Sequence, residues 1–223
     1  MAMDWTKACA VVVPCLNAAA TIGALAKEVQ RYLPKIIVVD DGSTDATTAR
    51  AAEAGAEVIR SPRTSGKGAA LKSGWQRARE SGFKWVLTMD GDGQHAPADI
   101  PRFLECAQKG AALVVGNRMD GAKAMPWLRR AVNRWMSRRL SRRAKRVLPD
   151  SQCGFRLMRL DVLSALDLKT THFEIESEDL LAFLAAGHRV EFVPVQVIYQ
   201  REQSNIHPWR DTVRWFKWLR SHR

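Results

Sequence analysis

Two hundred and twenty-three residues, 46% hydrophobic and 26% charged, suit one generous globular domain and exclude wholesale disorder, a collagen-like repeat and a small disulfide scaffold. The 35 Lys and Arg against 23 Asp and Glu leave a net charge of +12, a surplus that points to a polyanionic partner: nucleic acid, an anionic membrane or a phosphorylated substrate. Cys9, Cys15, Cys106 and Cys153 stand at no CxxC spacing, which argues against a zinc site and a disulfide framework and makes a reducing cytosol the default compartment.

The uncharged stretch from Ala8 to Ala26 follows Lys7 much as a signal peptide would. Its apolar run breaks at Pro14 and Asn17, however, and it is too weakly apolar to span a bilayer. It reads as a strand from Ala8 to Pro14 covered on both faces, a loop, and a helix from Ala18 to Leu33 with Ile22, Leu25, Ala26, Val29 and Leu33 on one side. Ile36 to Val39 is the next strand and ends in Asp40-Asp41-Gly42; Ser43 or Thr44 opens a helix that Gly55 closes. A short strand at Glu57 to Ile59, a helix from Lys67 to Glu80, and a strand from Trp85 to Met89 ending in Asp90-Gly-Asp92-Gly follow. A helix over 98–109 and a strand over 112–115 complete a β-α-β-α order, which predicts a parallel sheet with helices on its faces.

The pattern then changes. Residues 129 to 146 carry nine Lys or Arg and no acid, while Leu128, Val132, Trp135, Met136, Leu140 and Val147 recur at helical spacing. The spacing predicts a basic amphipathic helix, or a broken pair, over 127–148. A strand near 155–158, a helix over about 176–186, a strand over 190–199 and a last basic helix from Pro208 to about Ser221 follow. There is no internal repeat and no linker long enough to divide the chain, so it is expected to be one domain: a first half over 8–118, a second half over 119–206 and a basic C-terminal helix over 207–223.

The acids fall just beyond strand ends, where a parallel sheet places its ligands. One Asp-Gly pair is ordinary turn chemistry; two such pairs in one βα array favour a site in which Asp90 and Asp92 hold a hard divalent cation on phosphate oxygens. Ser65-Gly66-Lys67-Gly68 fails the P-loop pattern, because Ser61 and Gly68 stand where that pattern needs glycine and a hydroxyl, and no GxGxxG follows a strand. His95 follows the Asp-Gly-Asp-Gly turn, where it either approaches the ligand or plays a local structural role; His172, His188, His207 and His222 show no zinc spacing and are read as structural or exposed.

Taken in order, Val12-Val-Pro-Cys-Leu-Asn17, Val38-Val-Asp-Asp-Gly-Ser43, Gly66-Lys-Gly68, Met89-Asp-Gly-Asp-Gly-Gln-His95, Gly116-Asn-Arg118, Asp150-Ser-Gln-Cys-Gly-Phe-Arg156, Phe173-Glu-Ile-Glu-Ser-Glu178 and Tyr199-Gln-Arg-Glu-Gln-Ser204 resemble family 2 glycosyltransferases, above all the dolichol-phosphate mannosyltransferase (polyprenyl-phosphate glycosyltransferase) branch. The resemblance covers roughly residues 8 to 215 and implies an α/β GT-A fold, mainly parallel, that binds a UDP- or GDP-sugar with Mg²⁺ or Mn²⁺. It implies that Pro14 and Asn17 line the nucleotide pocket, that Asp40 and Asp41 contact base or ribose, and that Asp90, Asp92 and Gln94 form the metal and diphosphate motif. Lys67, Arg118, Arg156 and Arg201 become candidates for diphosphate or acceptor-phosphate contacts. Two departures stand out: Ala18 follows Asn17 where the family commonly has an acid, and Thr64-Ser65 precede Gly66 where it usually has asparagine.

Such a transfer builds negative charge on the departing diphosphate, which a metal and fixed cations stabilise. A phosphate acceptor is already anionic and needs positioning; a hydroxyl acceptor needs a base, for which Glu174, Glu176, Glu178 and Asp179 are available, unless they form a solvated helix start. Five of the eight tryptophans (Trp127, Trp135, Trp209, Trp215, Trp218) lie in the two basic segments, a mixture suited to docking on the cytoplasmic leaflet without spanning it. By analogy Arg129, Arg130, Arg134 and Ser137 would receive the lipid phosphate. The same surface leaves room for a membrane-embedded partner, whereas no helix-turn-helix, RNP or zinc signature supports nucleic acid. The expected protein is an inverting enzyme peripheral to the inner membrane face, acting on a lipid acceptor such as a polyprenyl phosphate; sugar transfer to a hydroxyl of another lipid or glycan, and a non-catalytic membrane or nucleic-acid binder, are the alternatives.

Overall fold

The apolar, β-branched runs build the middle of the molecule. In the structure, a computed structural model that describes residues 3–119, 121, 125–198 and 208–221 (side chains of the last segment from 212 to 220), they form β1 (Cys9–Cys15), β2 (Ile36–Asp40), β3 (Glu57–Arg60), β4 (Trp85–Thr88), β5 (Leu113–Asn117), β6 (Arg156–Arg159) and β7 (Val190–Pro194). They make one sheet in the order β3-β2-β1-β4-β6-β5-β7. β1, β2, β4 and β5 are buried almost throughout, which is why their sequences are continuously apolar rather than alternating.

The helices are α1 (Trp5–Ala8), α2 (Ile22–Val29), α3 (Thr47–Glu53), α4 (Lys67–Glu80), α5 (Ile100–Gln108), α6 (Trp127–Ala144), α7 (Leu160–Ala165), α8 (Ile175–Ala185) and α9 (Pro208–Ser221), with a 3₁₀ turn at Pro97–Asp99 before α5. The expected order of strands and helices is present; the short α1 and α7 are additions. β1 also runs through Pro14, which pairs with Val39, and stops one residue later.

Two departures from the sequence pattern matter. First, β6 runs antiparallel to both β4 and β5, while every other pairing is parallel. Its reversed direction sets the start of β6 beside the end of β4, with Thr88 opposite Arg156 and Thr88 Oγ1 donating to Gly154 O at 2.8 Å. The Asp150-to-Arg156 segment is thereby delivered to the edge where Asp90 and Asp92 stand. Second, the basic helix α6 ends at Ala144, not at Leu148. Lys145 takes a left-handed conformation (φ 50°) and returns its N–H to Ser141 O, while Ser141 Oγ accepts from Leu148 N at 2.9 Å, so the chain turns back under the helix end.

Candidate active site

The acid turn is built by its neighbours before any ligand is considered. Beyond β4, Thr21 Oγ1 donates to Gly91 O at 2.6 Å, and Gln94 N donates to Asp92 Oδ1 at 3.0 Å. Gly93 takes φ +71°, a region that costs glycine nothing. A Cβ on Gly91 would stand 2.6 Å from Cys15 Sγ, so the turn also packs against the end of β1. His95 is buried, stacks on Phe155 (5.3 Å between ring centroids), and accepts the Asp90 N–H on Nδ1 at 3.3 Å. Burial lowers its pKa, and its ring braces the turn.

Lys67, the first residue of α4, reaches into this turn. Its Nζ lies 2.5 Å from Asp90 Oδ1 and 2.6 Å from Glu176 Oε1, with the Phe173 ring 5.6 Å away. Glu176 comes from the first turn of α8, so one ammonium ties the acid turn to α8. Burial alone would lower the lysine and raise Asp90; their mutual attraction outweighs it, lifting Lys67 and holding Asp90 well below the usual carboxylate range. Asp92 behaves oppositely: burial first, then the charge of Asp90, push it up. Gly154 makes the crowding possible, because a Cβ there would sit 2.8 Å from both Asp90 oxygens and from Glu176 Oε1.

These residues fit a hard divalent cation. Two carboxylates project from one turn, and the raised carboxyl of Asp92 marks charge that its protein neighbours leave under-compensated. Among the described residues no cluster of three or more His, Cys, Asp or Glu forms a complete cage, so further ligands would come from water or a bound phosphate, the usual arrangement for Mg²⁺ in phosphate chemistry. Gln94 contributes its backbone to the turn; its side chain is half-buried beside it.

Several expected contact residues have other work. Arg118 donates to Asp150 through Nε (2.8 Å) and Nη2 (2.9 Å), and its backbone N–H donates to the same carboxylate. Arg156, 1% exposed, is spent inside the protein: Nε on Cys153 O, Nη2 on Ser151 O, and Nη1 on Glu176 O and the Asp179 carboxylate. Arg156 and Asp179 therefore lock the Asp150–Arg156 loop to α8. Burial raises Asp179, to about 7, against the pull of Arg156. Nor is the acidic start of α8 a solvated helix end: Glu174, Glu176, Glu178 and Asp179 are all buried, with Glu178 accepting from the backbone N–H groups of Lys169 and Thr170 and Glu174 3.7 Å from Arg214 of α9.

At the other edge, Asn17 (φ 53°) donates its N–H to Ser43 Oγ and accepts Thr44 N on Oδ1 at 2.9 Å, so it joins the β1 and β2 loops beside half-buried Pro14. Asp40 accepts from Ser43 N and Thr48 Oγ1; Asp41 accepts from Ser65 N and Gly66 N, both at 2.8 Å. Both aspartates thus brace the loops at this edge. Where Ala18 replaces the family's acid, the next N–H, of Ala19, meets Asp45 Oδ2 at 3.1 Å, so a carboxylate arrives from another segment.

On α6, Arg134, Arg138, Arg142 and Arg143 are exposed and Arg129 and Arg130 half-exposed. Ser137 is buried: its Oγ shares a bond with Ser151 Oγ (3.1 Å) and accepts Ser151 N. The tryptophans divide. Trp127 is 74% exposed, but Trp215 is 2% exposed, packs edge-on to Trp135 and donates Nε1 to Ser177 Oγ at 2.8 Å, and Trp218 is buried too. Packing, not a membrane, accounts for those two rings. Arg201 lies outside the described residues, as does the side chain of Trp209. The sequence reading missed the parts played by Thr21, Gly154, Phe173 and the Ser137–Ser151–Gln152–Ser177–Trp215 chain; Ser151, Gln152, Gly154, Phe173 and Ser177 lie within the motifs it flagged, whereas nothing in the sequence singled out Thr21.

Residues 10–167 match the family described as Glycosyl transferase family 2. Polyprenol monophosphomannose synthase of Mycolicibacterium smegmatis is 31% identical over 213 residues, covering 88% of this chain and 78% of that protein. Undecaprenyl-phosphate mannosyltransferase of Micrococcus luteus is 32% identical over 176 residues, covering 73% and 71%. Among solved structures, glucosyl-3-phosphoglycerate synthase from Mycobacterium tuberculosis, in complex with Mn²⁺, UDP and phosphoglyceric acid, superposes with a TM-score of 0.73 at 22% identity, over 96% of this chain and 76% of that one, which shows a shared GT-A fold.

Proposed function

Since this chain belongs to glycosyl transferase family 2, we propose that it transfers a sugar, with inversion, from a metal-bound nucleoside diphosphate to a lipid phosphate at an anionic membrane surface. The observation that carries the donor side is the Asp90–Asp92 turn faced by Lys67 and Glu176 at the end of β4. A divalent cation held by Asp90 and Asp92 supplies charge neutralisation to the departing diphosphate. The structural neighbour's complex with Mn²⁺ and UDP supports that assignment.

Within this reading, the loops braced by Asn17, Asp40 and Asp41 shape the nucleotide pocket beside Pro14, and Lys67 supplies a positive charge for the diphosphate. Arg118 and Arg156 keep the Asp150 and Gly154 segment rigid against α8, which fixes the acceptor side of the sugar. Glu176 is the one acid of the α8 start that faces the metal turn, and it serves as the base where the acceptor is a hydroxyl. A phosphate acceptor needs no base.

The lipid acceptor is supported by the names of the two relatives and by the surface of α6. Trp127 and Leu128 are exposed at its start, and Arg134, Arg138 and Arg142 follow at four-residue spacing on one face. Exposed apolar residues leading into an acid-free basic row suit the headgroup region of anionic lipid on the inner leaflet. No helix among the described residues is long and apolar enough to cross a membrane. Calorimetric titration with UDP and GDP, each with and without Mn²⁺, tests the donor assignment. Metal-dependent binding of one nucleotide, lost in Asp92→Ala, supports it; binding of neither in the presence of Mn²⁺, or unchanged binding by Asp92→Ala, overturns it.

A further inference from the structure

Asp90 and Glu176 come from distant parts of the chain and are pressed together over Gly154, whose backbone leaves only 2.8 Å between a notional Cβ and three of their oxygens. Glu176 is buried and the Asp90 side chain only 26% exposed, so two carboxylates crowding one point repel each other with incomplete screening by water. What holds them is the Lys67 ammonium, 2.5 Å from Asp90 Oδ1 and 2.6 Å from Glu176 Oε1, with only 14% of the side chain exposed. The lysine is also the first residue of α4, the end of a helix where the backbone dipole disfavours a cation. Its position is thus set by the two acids and not by its own helix.

A divalent ion on Asp90 and an ammonium on the same carboxylate would be like charges sharing one partner. Either the ion or Lys67 can hold Asp90 closely, and the two cannot do so together without losing much of their attraction.

We infer that Lys67 is a positioning residue that stands in for the metal in the unloaded site: its ammonium neutralises Asp90 and Glu176 until a divalent cation takes over Asp90, and the exchange releases Lys67 from that carboxylate and Glu176 from its partner. This rests on the donor-site reading above and extends it, since it couples filling of the donor site to freeing of the acceptor-side acid. No bond is made or broken in the exchange; one cation replaces another on Asp90, and the freed ammonium becomes available to the donor phosphates.

The test is Mn²⁺ binding in the absence of nucleotide. Wild type, Lys67→Met and Lys67→Gln are titrated with Mn²⁺ alone by calorimetry, with far-UV circular dichroism as the folding check; the glutamine variant keeps a neutral donor between the acids should the methionine variant fail to fold. The inference expects Mn²⁺ affinity to rise at least tenfold in the lysine variants. In parallel, the Nζ protons of Lys67, shielded by two carboxylates, should give a distinct NMR resonance in the metal-free wild type that shifts when Mg²⁺ is added, a readout that a purely structural lysine would not move. Unchanged or weaker Mn²⁺ affinity in the folded variants, or a Lys67 resonance indifferent to Mg²⁺, overturns the inference while leaving the donor site intact if nucleotide with Mn²⁺ still binds to wild type. Failure of wild type to bind Mn²⁺ even with nucleotide overturns both.

Discussion

At Gly154 the whole site depends on the lack of one methyl group. A Cβ there meets oxygens of both Asp90 and Glu176 at 2.8 Å, and neither acid can retreat while Lys67 holds the pair. Gly154→Ala should therefore keep its circular dichroism spectrum but lose metal-dependent nucleotide binding by at least tenfold, as calorimetry would show. Asp150 is a second single-residue test, of stability. Burial would raise its carboxyl, but Arg118 outweighs burial and holds it below the ordinary value. A depressed folded pKa contributes stability above the unfolded value of about 3.9, and that contribution is lost as pH falls. Asp150→Asn strands the buried Arg118 charge and should cost about 3–5 kcal/mol at pH 7. In urea denaturation the gap to wild type should narrow as pH drops below about 4. At this scale the acid turn was legible in the sequence, because Asp-Gly-Asp-Gly after an apolar strand has few other uses. The protein-internal partners of Asp40, Asp41, Arg118, Arg156 and Asp179 were not, because a motif names residue types and does not say which neighbouring loop a buried charge meets.

The elements that flank the site explain why the tryptophans misled. α6 and α9 are both basic and aromatic, yet Trp215 points inward to Ser177, which also accepts from Gln152 Nε2 at 3.0 Å. Aromatic residues at helical spacing look the same whether the stripe faces lipid or a neighbouring helix. Trp215→Ala should cost about 3–5 kcal/mol of stability in denaturant, and Trp215→Phe about 1 kcal/mol for the lost hydrogen bond. The arginine row on α6 makes no such structural contribution. Replacing Arg134, Arg138 and Arg142 with glutamine should leave the melting temperature within a few degrees, yet weaken binding to anionic vesicles at low salt severalfold; at high salt wild type and variant should converge. Equal vesicle binding at low salt would remove the docking face. The end of α6 was misjudged by four residues because Ser141 and Lys145 close it through a serine side chain and a left-handed lysine in place of the usual glycine.

Over the whole molecule, alternation of strands and helices in the first half made the parallel sheet readable, since runs such as Ala10 to Val13 and Ile36 to Val39 belong in strands buried on both faces. The reversal of β6 was not readable: a four-residue strand carries no mark of its direction, and only pairing with β4 and β5 sets it. That reversal brings residues 150–156 to the acid turn and, through Arg156, brings α8 with Glu176. The Asp90–Asp92 turn and Glu176 therefore meet beyond the end of β4, although they stand more than eighty residues apart in the chain. The most direct test of the account is transfer of labelled sugar from UDP- or GDP-sugar to a polyprenyl phosphate in anionic vesicles with Mn²⁺, run with wild type and Asp92→Ala. The account predicts a labelled lipid from wild type with one of the donors, and a loss of at least a hundredfold in the variant. No labelled lipid from either donor, or equal yields from wild type and Asp92→Ala, would contradict it.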